Sequence, residues 1–161
     1  MDKYTIFTNN SIVAEFLKDK GLPIDTKWVA APAIEVLAAA KSAAHQGSIV
    51  VSNPLAGVRF ATHPLFSQST LPPTPGRGSN ATQKIASINP YLSLLVSPTL
   101  DTVDFSSVRR VDEALNLYKK NARLRFLAHN DDAIKAFQTA DLQILVAIMT
   151  QLAEATAPKP D

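Results

Sequence analysis

The sequence predicts an α/β fold: a small three-layer, mostly parallel sheet with helices on both faces, Rossmann-like in outline but with no dinucleotide fingerprint. Three observations carry this expectation. Short β-branched and apolar segments alternate with segments of helical period, which is the order of a doubly wound sheet. The segment Ser48-Ile49-Val50-Val51-Ser52 has the continuous apolar centre of a strand covered on both faces. The 161 residues, 46% apolar and 19% charged, suffice for one ordinary core. A single domain is expected over residues 1–156, with a long Pro/Gly/Ser-rich loop at about 57–89 and a frayed tail at 157–161.

The elements follow in chain order. Tyr4 to Thr8 is β-branched and aromatic and reads as the first strand, ended by Asn9-Asn10, residues that favour turns and helix caps. Ile12, Val13, Phe16 and Leu17 share one face of a helix that Gly21-Leu22-Pro23 stops. Trp28-Val29-Ala30 is a short second strand. Pro32, at a first-turn position, opens an alanine-rich helix with Ile34, Leu37 and Ala38 inward, and Gly47 closes it. After the strand at 48–52, Pro54, Pro64, Pro72, Pro73, Pro75, Gly76 and Gly78 break any regular period, and Asn53 to about Asn89 reads as one long loop.

Tyr91 to Ser97 reads as a fourth strand. Past Pro98 and an acidic turn at Asp101 and Asp104, Val108, Val111, Leu115 and Tyr118 form the apolar stripe of a surface helix. Leu124 to Ala128 is a candidate extended segment. Asn130 is placed as the cap of a helix reaching Phe137, and Asp141 as the cap of a last helix carrying Leu142, Leu145, Ile148 and Leu152. The run 142–148 is short enough to read as a buried strand as well, but helix is the preferred reading.

Composition excludes several chemistries. With no cysteine, thiolate metal sites, iron–sulfur ligation and disulfides are ruled out. A net charge of +2 is too small to argue for nucleic acid, and no apolar run approaches the roughly 20 residues of a membrane span. Met1 to Ile6 has neither the basic nor the apolar region of a secretory signal, so a cytoplasmic protein is expected.

Short motifs in a particular order carry more information than any one of them. Thr8-Asn9-Asn10 follows the first strand, and His45-Gln46-Gly47 precedes a strand ending in Ser52-Asn53-Pro54-Leu55-Ala56-Gly57. Pro90-Tyr91-Leu92-Ser93 opens the next strand, and Phe137-Gln138 is followed by Asp141-Leu142. Over most of its length the chain in this respect resembles the GrdX family, small proteins encoded beside components of glycine reductase in amino-acid-fermenting anaerobes. The resemblance implies an accessory role in a glycine, sarcosine or betaine reductase system, with no defined biochemical activity. Ser11 stands where that family usually has proline, and Ser52-Asn53 where it usually has Thr-His.

In a parallel sheet, ligands gather beyond the carboxyl ends of the strands. Thr8-Asn9-Asn10, the turn opened by Ser52 and Asn53, and Ser97-Pro98-Thr99 are expected there, offering a small carboxylate or phosphate a helix N-terminus after Asn10. The alternative is structural: Asn10 caps a helix and Asn53-Pro54 makes a turn. Carboxamides do not titrate in a useful range, so these residues point to binding and no catalytic residue is assigned. Of the histidines, His45 reads as a helix-end residue and His129 as a turn residue. His63, in the long loop, joins the ligand-binding candidates although it has no carboxylate near it in sequence.

Pro75-Gly76-Arg77-Gly78-Ser79 lacks the lysine spacing and strand-to-helix context of a phosphate loop. Arg109, Arg110, Lys119, Lys120, Arg123 and Arg125 read as a solvated face with no aromatic platform between them. No cofactor and no metal is expected. The expected partners are reductase components or a small anionic ligand, with a homodimer as a further arrangement, and neither nucleic acid nor a membrane.

Overall fold

In a computed structural model of the chain, described over residues 4–22, 24–60, 85–121 and 131–156, local sequence signals and local structure agree best at the start. Strand β1 (Thr5–Thr8) leads through Asn9 and Asn10 into helix α1 (Ser11–Lys20). The Asn10 carboxamide accepts the Ile12 N–H at 3.1 Å, satisfying one of the orphan donors of the first turn. Gly21 ends the helix at φ 60°, a left-handed cap that costs glycine nothing. Strand β2 (Asp25–Trp28) begins three residues earlier than expected, because Asp25 N–H meets Tyr4 O at 2.9 Å and aligns 25–28 along β1.

Helix α2 (Ala33–His45) follows, with Pro32 at its N-cap and Ala33, Val36, Leu37, Ala40 and Ala44 buried. Ala38, expected inward, is exposed, since the buried stripe passes through 33, 36, 37, 40 and 44. The stop at Gly47 has a tertiary as well as a local cause. Its φ is 109°, and a Cβ there would lie 2.6 Å from Leu100 O.

The expected long loop contains structure: β3 (Val58–Phe60) pairs antiparallel with β4 (Ile85–Ile88). Strand β5 (Ser93–Val96), helix α3 (Phe105–Lys120) and helix α4 (Asp131–Thr156) complete the order. Helix α3 buries Val111, Ala114, Leu115 and Tyr118, close to the expected stripe. The two helices expected around 130–137 and from 141 onward are one continuous α4. Gln138-Thr139-Ala140 between them contains no breaker, and Asp141 lies a full ten residues inside rather than at a cap. The extended segment at 124–128, the Asn130 cap, the turn at His129 and the tail 157–161 lie outside the described residues.

The main sheet has the order β2-β1-β5. β1 and β2 are parallel, but β5 is antiparallel to β1, with Thr8 opposite Ser93 and Thr5 opposite Val96, so the sheet is mixed rather than mostly parallel. The chain path supplies the reason. Asn89 N–H bonds Gly57 O at 2.9 Å, so the excursion after residue 57 returns to where it left, and re-entry without a crossover reverses the strand.

The expected strand at 48–52 is reduced to one bridge, Val50 with Val96. Val51 N–H still bonds Leu95 O at 2.8 Å and Ser97 N–H bonds Ile49 O at 2.9 Å, and serine hydroxyls take the places around them. Ile49 N–H donates to Ser97 Oγ, Val50 N–H to Ser107 Oγ, and Leu95 N–H to Ser52 Oγ, at 2.8–3.0 Å.

Alternate residues of β5 divide between two cores. Leu94 and Val96 pack with α2 and α3 through Leu37, Val111 and Tyr118, whereas Leu95 joins Ile6, Val13, Leu17 of α1 and Leu145 of α4. A Lys41–Asp112 ion pair at 2.7 Å ties α2 to α3, and the Lys41 ammonium lowers the Asp112 pKa. Among the described residues no helix is long and apolar enough to cross a membrane.

Candidate functional site

The carboxyl end of β1 is closed by a buried polar network. Asn10 N–H donates to Thr8 Oγ1 at 3.0 Å, and the Thr8 and Ser93 hydroxyls are 2.7 Å apart. Ser93 Oγ–H donates to Asp141 Oδ2 at 2.6 Å, and Ser93 N–H to Asp141 Oδ1 at 3.2 Å. The Asn10 amide donates to the same carboxylate at 3.1 Å and to Gln138 O at 2.9 Å, while its oxygen caps α1. With Asp141 ionised, each hydroxyl has one consistent role: Thr8 donates to Ser93, and Ser93 to the carboxylate.

Burial raises the Asp141 pKa above the ordinary carboxylate value, and the bonds from Ser93 and Asn10 oppose that rise. Thr8 and Asn10 are completely buried, and Ser93 and Asp141 almost so. No solute reaches these atoms. The network bolts β1, α1, β5 and α4 together, and it sets a negative group beside the residue that caps α1, where the helix dipole favours one. The place that sequence reasoning offers to a bound anion is therefore filled by the protein's own carboxylate.

The remaining candidates are as fully committed or lie elsewhere. Asn9 donates to Ala31 O and Pro90 O at 3.1 and 3.0 Å and accepts from Leu92 N–H at 2.8 Å, fastening the β1–α1 turn to the start of β5. Ser52 is buried on Leu95 N–H. Exposed Asn53 accepts from Leu55 N–H at 3.0 Å in an Asx turn. Ser97-Pro98-Thr99 falls at the opposite end of the sheet, because β5 runs the other way. His63 and Arg77 lie outside the described residues.

An accessible feature adjoins the network. The β3–β4 ladder and the first half of α4 enclose a cleft of about 340 Å³, lined by Gly57, Arg59, Ser87, Asn89, Phe137 and Ala140, with further small apolar residues of α4. Asn89 builds its base, donating to Phe137 O at 2.8 Å and accepting from Tyr91 N–H at 2.9 Å. Asn89 and Asn10 thus grip consecutive carbonyls of α4. Gly57 lets the ladder close on Asn89, since a Cβ there would sit 3.1 Å from the Asn89 Cβ. Arg59 is an exposed cation in the wall. Among the described residues the lining offers apolar surface, two polar groups and one guanidinium, and no histidine or carboxylate.

Asp141 and Ser93, named in the sequence only within short motifs or as a cap, and Asn89 are residues that sequence reasoning did not place in a site. One signal for Asp141 was present: Phe137 and Leu145 lie four residues to either side, so the acid stands on the buried stripe of the helix, where a carboxylate needs partners. Ser93 is marked only as the end of Pro90-Tyr91-Leu92-Ser93, and nothing marks Asn89. The motif segments 8–10, 90–93, 137–138 and 141 meet at one end of the sheet, whereas His45-Gln46-Gly47 bonds Leu100 at the other. No family model matches the chain, and no match is found among curated proteins or among solved structures.

Proposed function

We propose that this chain is a GrdX-like accessory protein of a glycine-reductase-type amino-acid fermentation system, cytoplasmic, acting by protein contact or small-ligand binding rather than by catalysis. One observation supports the reading: motif segments separated by more than a hundred residues pack into one rigid end of the sheet, beside an open cleft. A rigid, sealed support carrying an accessible recess is the construction of a binding surface. In this reading the division of β5 side chains between two helix-bearing cores corresponds to a Rossmann-like, three-layer arrangement. The Ser11 departure is compatible with it, because Ser11 occupies the first turn of α1, where proline and serine are both accommodated. Tagged protein drawn from a native anaerobic lysate should recover reductase components. Recovery of none from a lysate that contains them removes the proposal.

A second reading, a small-carboxylate or phosphate-binding enzyme or sensor, is favoured by Arg59 in the cleft wall. The anion would then be held by the guanidinium and not by the sealed Thr8-Asn9-Asn10 turn. A ligand at a hundred times its dissociation constant stabilises by about 2.7 kcal/mol, so a panel of carboxylates and phosphates read by thermal shift tests this reading, and a panel that leaves the melting temperature unmoved removes it.

A further inference from the structure

Strand β2 is an edge of the main sheet, and all four of its residues are exposed. Its bonds to β1 are made by Asp25 N–H to Tyr4 O and Val29 N–H to Thr8 O, both odd-numbered residues. On that period of two, the N–H and C=O groups of Thr26 and Trp28 turn outward, away from β1. Trp28 is 51% exposed, and Leu22, just before the strand, is exposed too. Among the described residues no strand pairs with this edge, and such an edge beside an exposed tryptophan is a template for strand addition.

We propose that β2 pairs antiparallel with β2 of a second copy, centred on Thr26, and joins two three-stranded sheets across a two-fold axis. The residues of the strand select that partner and that register. Centring on Thr26 sets the outward-facing Thr26 groups of the two copies in a hydrogen-bonded pair. Asp25 of each copy then falls opposite Lys27 of the other in the non-hydrogen-bonded positions, where side chains approach most closely. On the other face, Trp28 lies opposite Ile24, an aromatic on a β-branched residue.

Centring one residue on, at Lys27, would face two ammonium groups at the closest positions. A register that pairs even with odd residues would leave outward donors facing inward ones. Lys27, which by itself would blunt an edge, here discriminates among registers. A closed two-fold is the commonest symmetry of a self-complementary patch, and the pairing satisfies the outward Thr26 groups of both copies.

Sedimentation velocity on the full chain across a dilution series tests this. The wild type should show a concentration-dependent monomer–dimer equilibrium. Lys27→Glu and Asp25→Lys should each weaken the dimer by about tenfold, since two attractive pairs become repulsive. An equimolar mixture of the two variants should recover the wild-type affinity, because each then faces its opposite charge. Thr26→Pro removes an outward donor that the monomer does not use, and should abolish the dimer while leaving far-ultraviolet circular dichroism unchanged. A wild type that stays monomeric throughout overturns the proposal. So does a dimer indifferent to the charge variants, or a mixture that fails to recover affinity. If Thr26→Pro loses its fold, the charge variants decide.

Discussion

The network around Asp141 and the cleft beside it are built on the same helix, from neighbouring carbonyls, and have opposite characters. In the first, Thr8, Asn10, Ser93 and Asp141 spend their polar atoms on one another and are closed to solvent. In the second, Gly57, Arg59, Ser87 and Asn89 border an open recess with a small-residue floor on α4. Residue types that suggest a ligand site in a sequence are consumed here in holding strands and helices together. The surface able to receive a ligand is made by residues that carry no such suggestion. A hydrogen-bonding side chain advertises capacity, and only its partners decide whether that capacity is spent.

The largest effect that would break this contrast lies at Asp141. Asp141→Ala takes the acceptor from Ser93 N–H, from the Ser93 hydroxyl and from one of the two Asn10 amide N–H groups in a buried place, and should cost about 3 kcal/mol or more in denaturant unfolding. A loss under 1 kcal/mol would mean that the network is not the bolt described. Asn10→Ala should cost about 2 kcal/mol, combining a lost helix cap with lost bonds to Asp141 and Gln138.

A smaller effect concerns pH. Burial raises the folded-state pKa of Asp141 above its unfolded value near 3.8, so between those two values the folded protein binds more protons than the unfolded one. This contribution to stability is therefore greatest below 3.8, falls as pH rises through the raised pKa, and is flat above it. Measured as the difference in unfolding free energy between wild type and Asp141→Asn, the balance should shift toward the variant as pH climbs through that window. A shift toward the wild type would show that the bonds from Ser93 and Asn10 outweigh burial. The smallest effect sharpens the other half of the comparison. Arg59→Ala should change stability by less than about 0.5 kcal/mol, yet remove any thermal shift given by an anionic ligand of the cleft.

Much of the local structure was legible, for local reasons. Asn10 and Gly21 bound α1 because capping chemistry acts within one turn, and the stripe of α3 was visible because 3.6-residue periodicity survives any tertiary arrangement. Other expectations depended on distant residues. The strand at 48–52 had the right pattern, but Ser97 and Ser107, from parts of the chain further on, took the backbone donors of Ile49 and Val50 and left only those of Val51 and Ser52 for Leu95 O. Asp141 resembled a cap because acids favour helix starts, and its actual partners lie 48 and 131 positions away. The Ser97-Pro98-Thr99 turn left the expected cluster because the direction of β5 is set by the return of the chain at Asn89.

What the sequence by itself determined is the α/β character, the elements β1, α1, α2, β5 and α3, the two ends of α1, and the absence of cysteine chemistry. Each follows from propensity, periodicity or composition, which are properties of short stretches. Only the tertiary structure decided the mixed direction of the sheet, the sealing of Thr8 and Asn10 against Asp141, and the opening of the cleft beside them. Those depend on which donors meet which acceptors across long separations. A polar side chain carries no mark of whether it will face water or another part of its own chain.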